Sequence, residues 1–444
     1  MNDQSEVNEL EWPGLKKMRE QQMQIAVPSD IDARIREGMR LGRQRRRRRM
    51  VTRMASYAAC MLLLAMVASV RFSPAVAAYV GDIPGLRSLV NLIHYDKGLR
   101  LALENDFMQP VGLSEQKNGV KLTVDGILAD DSRVIVFYTM DNMDGKQGFV
   151  SVKNVKLTED EETSISFGTG GYEEQWESKQ GTIDFNFQGN TGIPNVLNVE
   201  FELGIETASS SSTEKWQFAI PVDKSKFEGL KQTYEINETV TVDNQRITFG
   251  TMTVYPTRIG LEVEYDPANK KKIFYFDDLR LEDEKGEVFG TITNGMSGSL
   301  INDNRHILYF QSNYFSKPEQ LYLRASTIRA LDKSKLEVKI DLEREALLSS
   351  PDDRLTLKDA GTGSSRMLAF GLNNDDPLDE HRQYGIFDNT YADATGRSFF
   401  SNRSGSTTDE IHYYLDQGEY QSPLTLYVND YPTRIRGDIN VRIK

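Results

Sequence analysis

Cysteine is almost missing from this chain: Cys60 stands alone in 444 residues. An intrachain disulfide is therefore impossible, and a multi-thiolate zinc site is excluded. Histidine is scarce as well, with His94, His306, His381 and His412 scattered along the sequence, which leaves little for imidazole metal centres or general-base chemistry. Fourteen prolines and 33 glycines are too few for a collagen-like or low-complexity filament. At 39% hydrophobic and 9% aromatic, the chain is also too apolar to be largely disordered. A folded, multi-domain, non-redox protein remains, because 444 residues exceed the usual size of one domain.

Catalytic signatures are equally sparse. Gly295-Met-Ser297-Gly-Ser299 has the wrong spacing for a nucleophile elbow. There is no His-Glu-x-x-His helix and no Walker loop. Gly168-Thr-Gly170-Gly171 lacks the third glycine and following helix of a dinucleotide fold. Asp141-Asn-Met-Asp144-Gly145 puts Met143 where a calcium loop needs an oxygen ligand. The most acidic stretch, Asn373-Asn-Asp375-Asp376-Pro-Leu-Asp379-Glu380-His381, reads as a solvated loop in preference to a Ca²⁺ site. No catalytic, cofactor-binding or metal-ligating residue is expected, no cofactor, and no enzyme activity.

What the chain does have is a divided charge. The formal net charge is −13, yet residues 1–53 hold 13 Lys/Arg against 8 Asp/Glu. Residues 54–70 carry no charge at all, and the acidic excess lies beyond them. Seventeen residues in a helix span roughly 25 Å, against a hydrocarbon core about 30 Å thick. Adding Phe72 and letting Arg53 and Arg71 snorkel brings residues 54–72 close to a full crossing. Arg45, Arg46, Arg47, Arg48 and Arg49 crowd one flank, the flank that the positive-inside rule keeps in the cytoplasm. A cleavable signal peptide fits less well: Ala75-Val76-Ala77 suits cleavage, but 53 residues make too long a leading segment. The arginines beside a span are matched to anionic lipid headgroups, not to nucleic acid. The expected location is the cell membrane, single-pass, with the N-terminal segment cytoplasmic and the C-terminal region outside.

The cytoplasmic segment carries helix signals. Ser29-Asp30-Ile31-Asp32 reads as a cap with acids in the first turn. Ile31, Ile35 and Met39 then form one apolar stripe. A narrow stripe without a partner is marginal in water, so it is a candidate docking face for a cytoplasmic protein, or else a helix lying on the membrane.

Helical spacing continues after the span through Leu86, Leu89, Val90 and Ile93, and near residue 118 the period changes to two. Leu197, Val199, Phe201 and Leu203 alternate with polar residues, as do Ile259, Leu261, Val263 and Tyr265, and Leu336, Val338, Ile340 and Leu342. Lys121-Leu-Thr-Val, Arg246-Ile-Thr-Phe and Arg354-Leu-Thr-Leu each open a segment, and twelve residues later Arg133, Arg258 and Arg366 each start another apolar strand. The expected closing pairs are 197–203 with 216–222, 321–324 with 336–342, and 424–428 with 439–443. Tyr255-Pro-Thr-Arg-Ile recurs at Tyr431-Pro-Thr-Arg-Ile and reads as a proline turn before a strand. The expected fold class is mainly β, tandem immunoglobulin-like β-sandwiches on one transmembrane helix. The expected divisions are a cytoplasmic segment 1–53, a span 54–72, a juxtamembrane helical region 73–110, and β-rich domains at 111–225, 226–346 and 347–444.

The stretch from Ser73-Pro-Ala-Val-Ala-Ala-Tyr-Val-Gly through Ile83-Pro-Gly-Leu86 to Tyr95-Asp-Lys-Gly-Leu99 resembles the start of domain of unknown function 4179, as do Asn118-Gly-Val-Lys-Leu-Thr-Val and Asp131-Ser-Arg-Val-Ile-Val-Phe-Tyr. That family occurs in single-pass membrane proteins of Gram-positive bacteria, many of them anti-sigma-factor-like. Tyr234-Glu-Ile-Asn-Glu-Thr-Val-Thr-Val and Phe276-Asp-Asp-Leu-Arg-Leu resemble the immunoglobulin-like domain that often follows. The resemblance covers about 73–345 and implies an extracytoplasmic-function sigma factor as the cytoplasmic partner, with outer domains that sense a ligand or cell-wall component. Zinc-containing anti-sigma domains carry a His/Cys cluster here and this chain has none, so docking would rest on Ile31, Ile35 and Met39. The alternative is an anchored cell-surface or cell-wall-binding module without a regulatory role.

Overall fold

The computed structural model describes residues 92–93 and 95–444, apart from 146–147, 159–162, 168–175, 188–191, 208–209, 293–296, 362–365, 375 and 381. The chain divides into two compact units, Met1–Pro84 and Gly85–Lys444, and every residue described belongs to the second. The expected span 54–72, the basic segment before it and the helical turns at 86–90 lie outside the described residues. Among the described residues, no helix is long and apolar enough to cross a membrane.

The fold is mainly β, built from antiparallel sheets around three hydrophobic cores. Period-two alternation is the cause: Leu197, Val199, Phe201 and Leu203 are all buried, and so are Ile259, Leu261, Val263 and Tyr265. Each such side chain taken from water contributes about 1.5–3 kcal/mol, so one face of every strand must be covered by a second sheet.

In the first sandwich, a five-stranded sheet runs in the order Gln109–Lys117, Val120–Asp130, Arg133–Asn142, Ser178–Asn186, Ser164–Phe167. A sheet of Phe149–Leu157, Val196–Thr207 and Ser210–Pro221 covers it. The second core lies between two sheets. One holds Gly298–Asn302, Arg305–Gln311, Arg258–Tyr265, Gln245–Val254 and Gln232–Val242. The other is organised around Leu321–Asp332. The third core packs the sheet containing Glu337–Asp341 and Leu424–Val428 against that containing Leu355–Ala360 and Met367–Leu372.

The sequence repeat is a repeated hairpin. Val120–Asp130 pairs with Arg133–Asn142, Gln245–Val254 with Arg258–Tyr265, and Leu355–Ala360 with Met367–Leu372. Each register shifts at the same place, after Val124, Phe249 and Leu357, three residues beyond the opening Lys121, Arg246 and Arg354. A bulge re-aims the strand, so a shared bulge position is stronger proof of kinship than shared residue types.

The expected closing pairs survive only in the first sandwich, where Val196–Thr207 pairs with Ser210–Pro221. In the other two cases the proposed partners fall in different sheets. The largest departure is the last strand. Arg434–Arg442 does not complete the unit expected at 347–444. It returns to the second core, pairs with Leu321–Asp332 and buries Ile435, Ile439 and Val441 there. Gly437 permits this return, because a Cβ at that position would lie 2.7 Å from Val242 Cγ1.

Helix α1, Lys97–Glu104, precedes the first sandwich. Asp96 caps it, accepting a 3.0 Å hydrogen bond from the Leu99 amide. Leu99 and Ala102 enter the first core. The other side of the helix touches the second sandwich: Gly98 sits against Ser312, leaving no room for a side chain, since a Cβ there would lie 2.3 Å from the Ser312 nitrogen.

Candidate functional site

Ile31, Ile35 and Met39, the expected docking stripe, lie outside the described residues, as do Arg45, Arg46, Arg47, Arg48, Arg49, Arg53 and Arg71. The polar chemistry that the structure does place is at the two contacts between successive cores.

At the first contact, two strand-opening arginines cross over. Arg133 donates from Nε to the Thr257 hydroxyl (2.9 Å) and from Nη2 to the Thr257 carbonyl (2.7 Å). Arg258 does the same in the opposite direction, from Nε to the Ser132 hydroxyl and from Nη2 to the Ser132 carbonyl, both at 2.9 Å. Each guanidinium grips the residue that precedes the other one. The third donor group goes to Asp184 from Arg133 (2.9 Å) and to Asn186 from Arg258 (2.5 Å). Asp130 completes the arrangement by accepting from the Ser132 amide and hydroxyl with one oxygen and from the Thr257 amide and hydroxyl with the other. Arg133 is 2% exposed and Arg258 1%. Buried guanidinium groups persist only where hydrogen bonds and opposite charge replace water. Arg258 also lies over the Tyr309 ring, 3.9 Å from its centroid.

Helix α1 is fastened to the same place. Gln311 donates to the Tyr95 carbonyl at 2.9 Å, and Lys97 pairs with Glu287 while lying over Phe289. Between the helix and the crossed arginines is a cleft of about 130 Å³ lined by Ile93, Asp96, Arg133, Ile135, Asp184 and Ile292 among others. Burial raises the Asp96 carboxyl above its ordinary value, although Arg133 opposes the shift.

The second contact uses the repeated pentapeptide again. Arg434 donates from Nε to Asp277 (2.6 Å) and from Nη1 to Asp379 (2.8 Å), with Nη2 also on Asp379. Arg329 reaches Asp277 and Asp430, and Arg382 reaches Asp277. Thr433 accepts from Arg354 at 3.0 Å, as Thr257 accepts from Arg133. Burial works to raise the Asp379 carboxyl, but the hydrogen bonds from Arg434 and Tyr384 hold it below the usual range. Burial first, and then the Asp379 carboxylate that accepts its hydrogen bond, push the Tyr384 hydroxyl up to about 12, against the opposing pull of Arg434 and Arg329.

One sequence reading is therefore extended and another corrected. Tyr255-Pro-Thr-Arg-Ile and Tyr431-Pro-Thr-Arg-Ile do precede strands, but their threonine and arginine form the contacts between cores. The acidic stretch at 373–381 is not simply a solvated loop, because Asp379 is 3% exposed and holds Arg434. No local sequence pattern marks Asp96 or Asp184 as members of these contacts. The two arginines at matched repeat positions, each preceded by a hydroxyl residue, were the available signal. Among the described residues no group of three or more His, Cys, Asp or Glu is placed to hold a metal ion.

Residues 46–142 match the family described as Domain of unknown function (DUF4179), and residues 231–356 match the Family of unknown function (DUF5643). The first match begins inside the arginine cluster, runs through the apolar segment and ends with the first hairpin. The crystal structure of a conserved domain protein from Bacillus anthracis is similar over 55% of this chain and 84% of its own, at 14% identity and a TM-score of 0.39. No curated protein sequence matches the chain.

Proposed function

We propose that this chain, which carries a domain of unknown function 4179 followed by the 5643 family domain, is a single-pass membrane regulator of the anti-sigma-factor-like type. Residues 54–72 cross the bilayer. Residues 1–53 dock an extracytoplasmic-function sigma factor through Ile31, Ile35 and Met39, and the β-rich region outside senses a ligand or cell-wall component. The observation that carries the reading is the run of 17 uncharged residues at 54–70 beside eight arginines in the 14 residues before it. The family match supports it, since one family unit covers five of those eight arginines, the apolar run and the first hairpin.

Photo-crosslinking from position 35 of the full-length chain in its own cells tests the proposal. The expected product is an adduct with a sigma factor, lost in Ile31→Asp. Absence of any cytoplasmic adduct, together with unchanged insertion after deletion of 2–38, would overturn it in favour of a surface module whose inner tail only orients the chain.

A further inference from the structure

The cleft beside Arg133 is a part of the first contact that its own residues leave incomplete. Its volume of about 130 Å³ approaches that of a cavity able to hold a benzene-sized molecule, about 150 Å³. Ile93, Ile135, Phe167 and Ile292 supply apolar walls, and Asp96 and Asp184 stand among them. The Asp184 side chain is 13% exposed, and one of its oxygens takes the Arg133 hydrogen bond. Its other oxygen, Oδ1, is shielded and accepts no hydrogen bond, which is unusual for a buried carboxylate. Asp96, Asp130 and Asp184 surround Arg133, and Asp130 and Asp184 also face Arg258; with all three carboxyls ionised the cluster carries a surplus of one negative charge.

We propose that this cleft binds a primary ammonium group on a short apolar stem. The ammonium lies between Asp96 and Asp184, and a turn about the soft carboxylate torsion brings Asp184 Oδ1 to it. The isoleucine and phenylalanine walls take the stem. One cation neutralises the five-charge cluster, and its N–H groups supply the donors that Asp184 lacks. An anion would meet two carboxylates, while a divalent metal would want more oxygen ligands than the described residues bring together. The chemistry is shared by a free small amine and by a lysine side chain of a polypeptide. The inference concerns residues 92–311 alone and does not depend on what residues 1–53 bind.

Calorimetric titration of the detergent-purified full-length chain tests it, with n-butylamine and Nα-acetyl-lysine methylamide as probes and n-butanol as the neutral isostere. Saturable one-to-one binding of an amine, at least tenfold tighter than butanol, is expected. Preference for butylamine identifies a free amine as the source, and preference for the lysine amide identifies a polypeptide. Asp184→Asn should weaken binding at least tenfold. Ser166→Phe, which narrows the cleft wall without touching an ion pair, should weaken it as much and decides the matter if Asp184→Asn fails to fold. Amine binding no tighter than butanol, or binding unchanged in Ser166→Phe, overturns the proposal.

Discussion

Replacing Arg258 with methionine isolates what the crossed arginines contribute. Methionine keeps most of the stem volume, so the change removes the charge and donors and leaves little cavity. Ser132 Oγ, the Ser132 carbonyl and Asn186 Oδ1 each lose their guanidinium donor. A hydrogen bond to a charged group contributes about 1.5–3 kcal/mol, which for three such bonds sets an upper bound of roughly 5–9 kcal/mol. Two effects reduce that figure. Burial and the nearby Arg133 already push the Arg258 guanidinium below its ordinary pKa, so deleting the charge also relieves desolvation and repulsion. The expected net loss is on the order of 3 kcal/mol. Since about 1.4 kcal/mol is a factor of ten, opening of the first contact should become roughly a hundredfold more frequent. Hydrogen exchange on the full-length chain reads this at the Thr257 amide, which donates to Asp130 at 2.8 Å. Amides in Met367–Leu372 of the third core should keep their protection. Arg133→Met should cost more, because it also strips Asp184 of its cation. An Arg258→Met chain whose Thr257 amide exchanges at the parent rate, or which loosens the third core equally, refutes the reasoning.

Other substitutions and conditions test the remaining contacts. Gly98→Ala should destabilise by roughly 1–3 kcal/mol through overpacking against Ser312, despite alanine's advantage of about 1 kcal/mol in a helix; thermal unfolding of the full chain measures it, and a rise in Tm would count against the packing described. Arg434→Met leaves Asp277 and Asp379 without their shared cation, so a loss of about 3–5 kcal/mol and early proteolysis of the 434–442 strand are expected. The two contacts should also respond to acid with opposite sign. The Asp379 carboxyl is held low, so its contribution is present above the ordinary carboxylate range near 4 and is lost as pH falls through its depressed value. The Asp96 carboxyl is raised, so its contribution is full below that range and is lost as pH rises through its elevated value. Exchange rates at the Leu99 amide, which donates to the Asp96 carboxyl, and at the Arg382 amide, which donates to the Asp379 carbonyl, followed between pH 3 and pH 7, separate the two.

Much of the β architecture was legible because burial on one face forces alternation that any window exposes, as Leu197 through Leu203 and Ile259 through Tyr265 demonstrate. The hairpin repeat was legible for the same reason, down to the twelve-residue step. Strand destination was not. Ile435, Ile439 and Val441 alternate as well as any strand does, but alternation says only that a sheet must cover them. Which sheet does so is decided by contacts distant in sequence, namely Arg434 on Asp277 and the tight fit of Gly437 against Val242. The contacts between cores were hidden by the same nonlocality. An arginine at the start of an apolar strand ordinarily reads as a solvated end, and only the opposing Ser132 or Thr257 makes it a buried one.

The reuse of one pentapeptide at both contacts has a physical rationale. Proline has no N–H to offer a sheet edge, so the chain before the strand stays outside the ladder. Tyr255 is held there by a 2.8 Å hydrogen bond from its amide to the Arg258 carbonyl. The Thr-Arg pair that follows presents a hydroxyl and, just before the ladder begins, a five-donor fork. At the first contact the neighbouring core answers with Ser132-Arg133, a pair of the same kind, and the result is reciprocal. At the second it answers with Asp379 and Tyr384, and the result is a one-way ion pair. Ion pairs buried in this way contribute less to net stability than apolar packing of equal volume, and their best-attested gain is to fix one arrangement against its alternatives. Two such contacts in series therefore argue for cores held in a single arrangement, with helix α1 fixed to the first contact through Tyr95, Lys97 and Gly98.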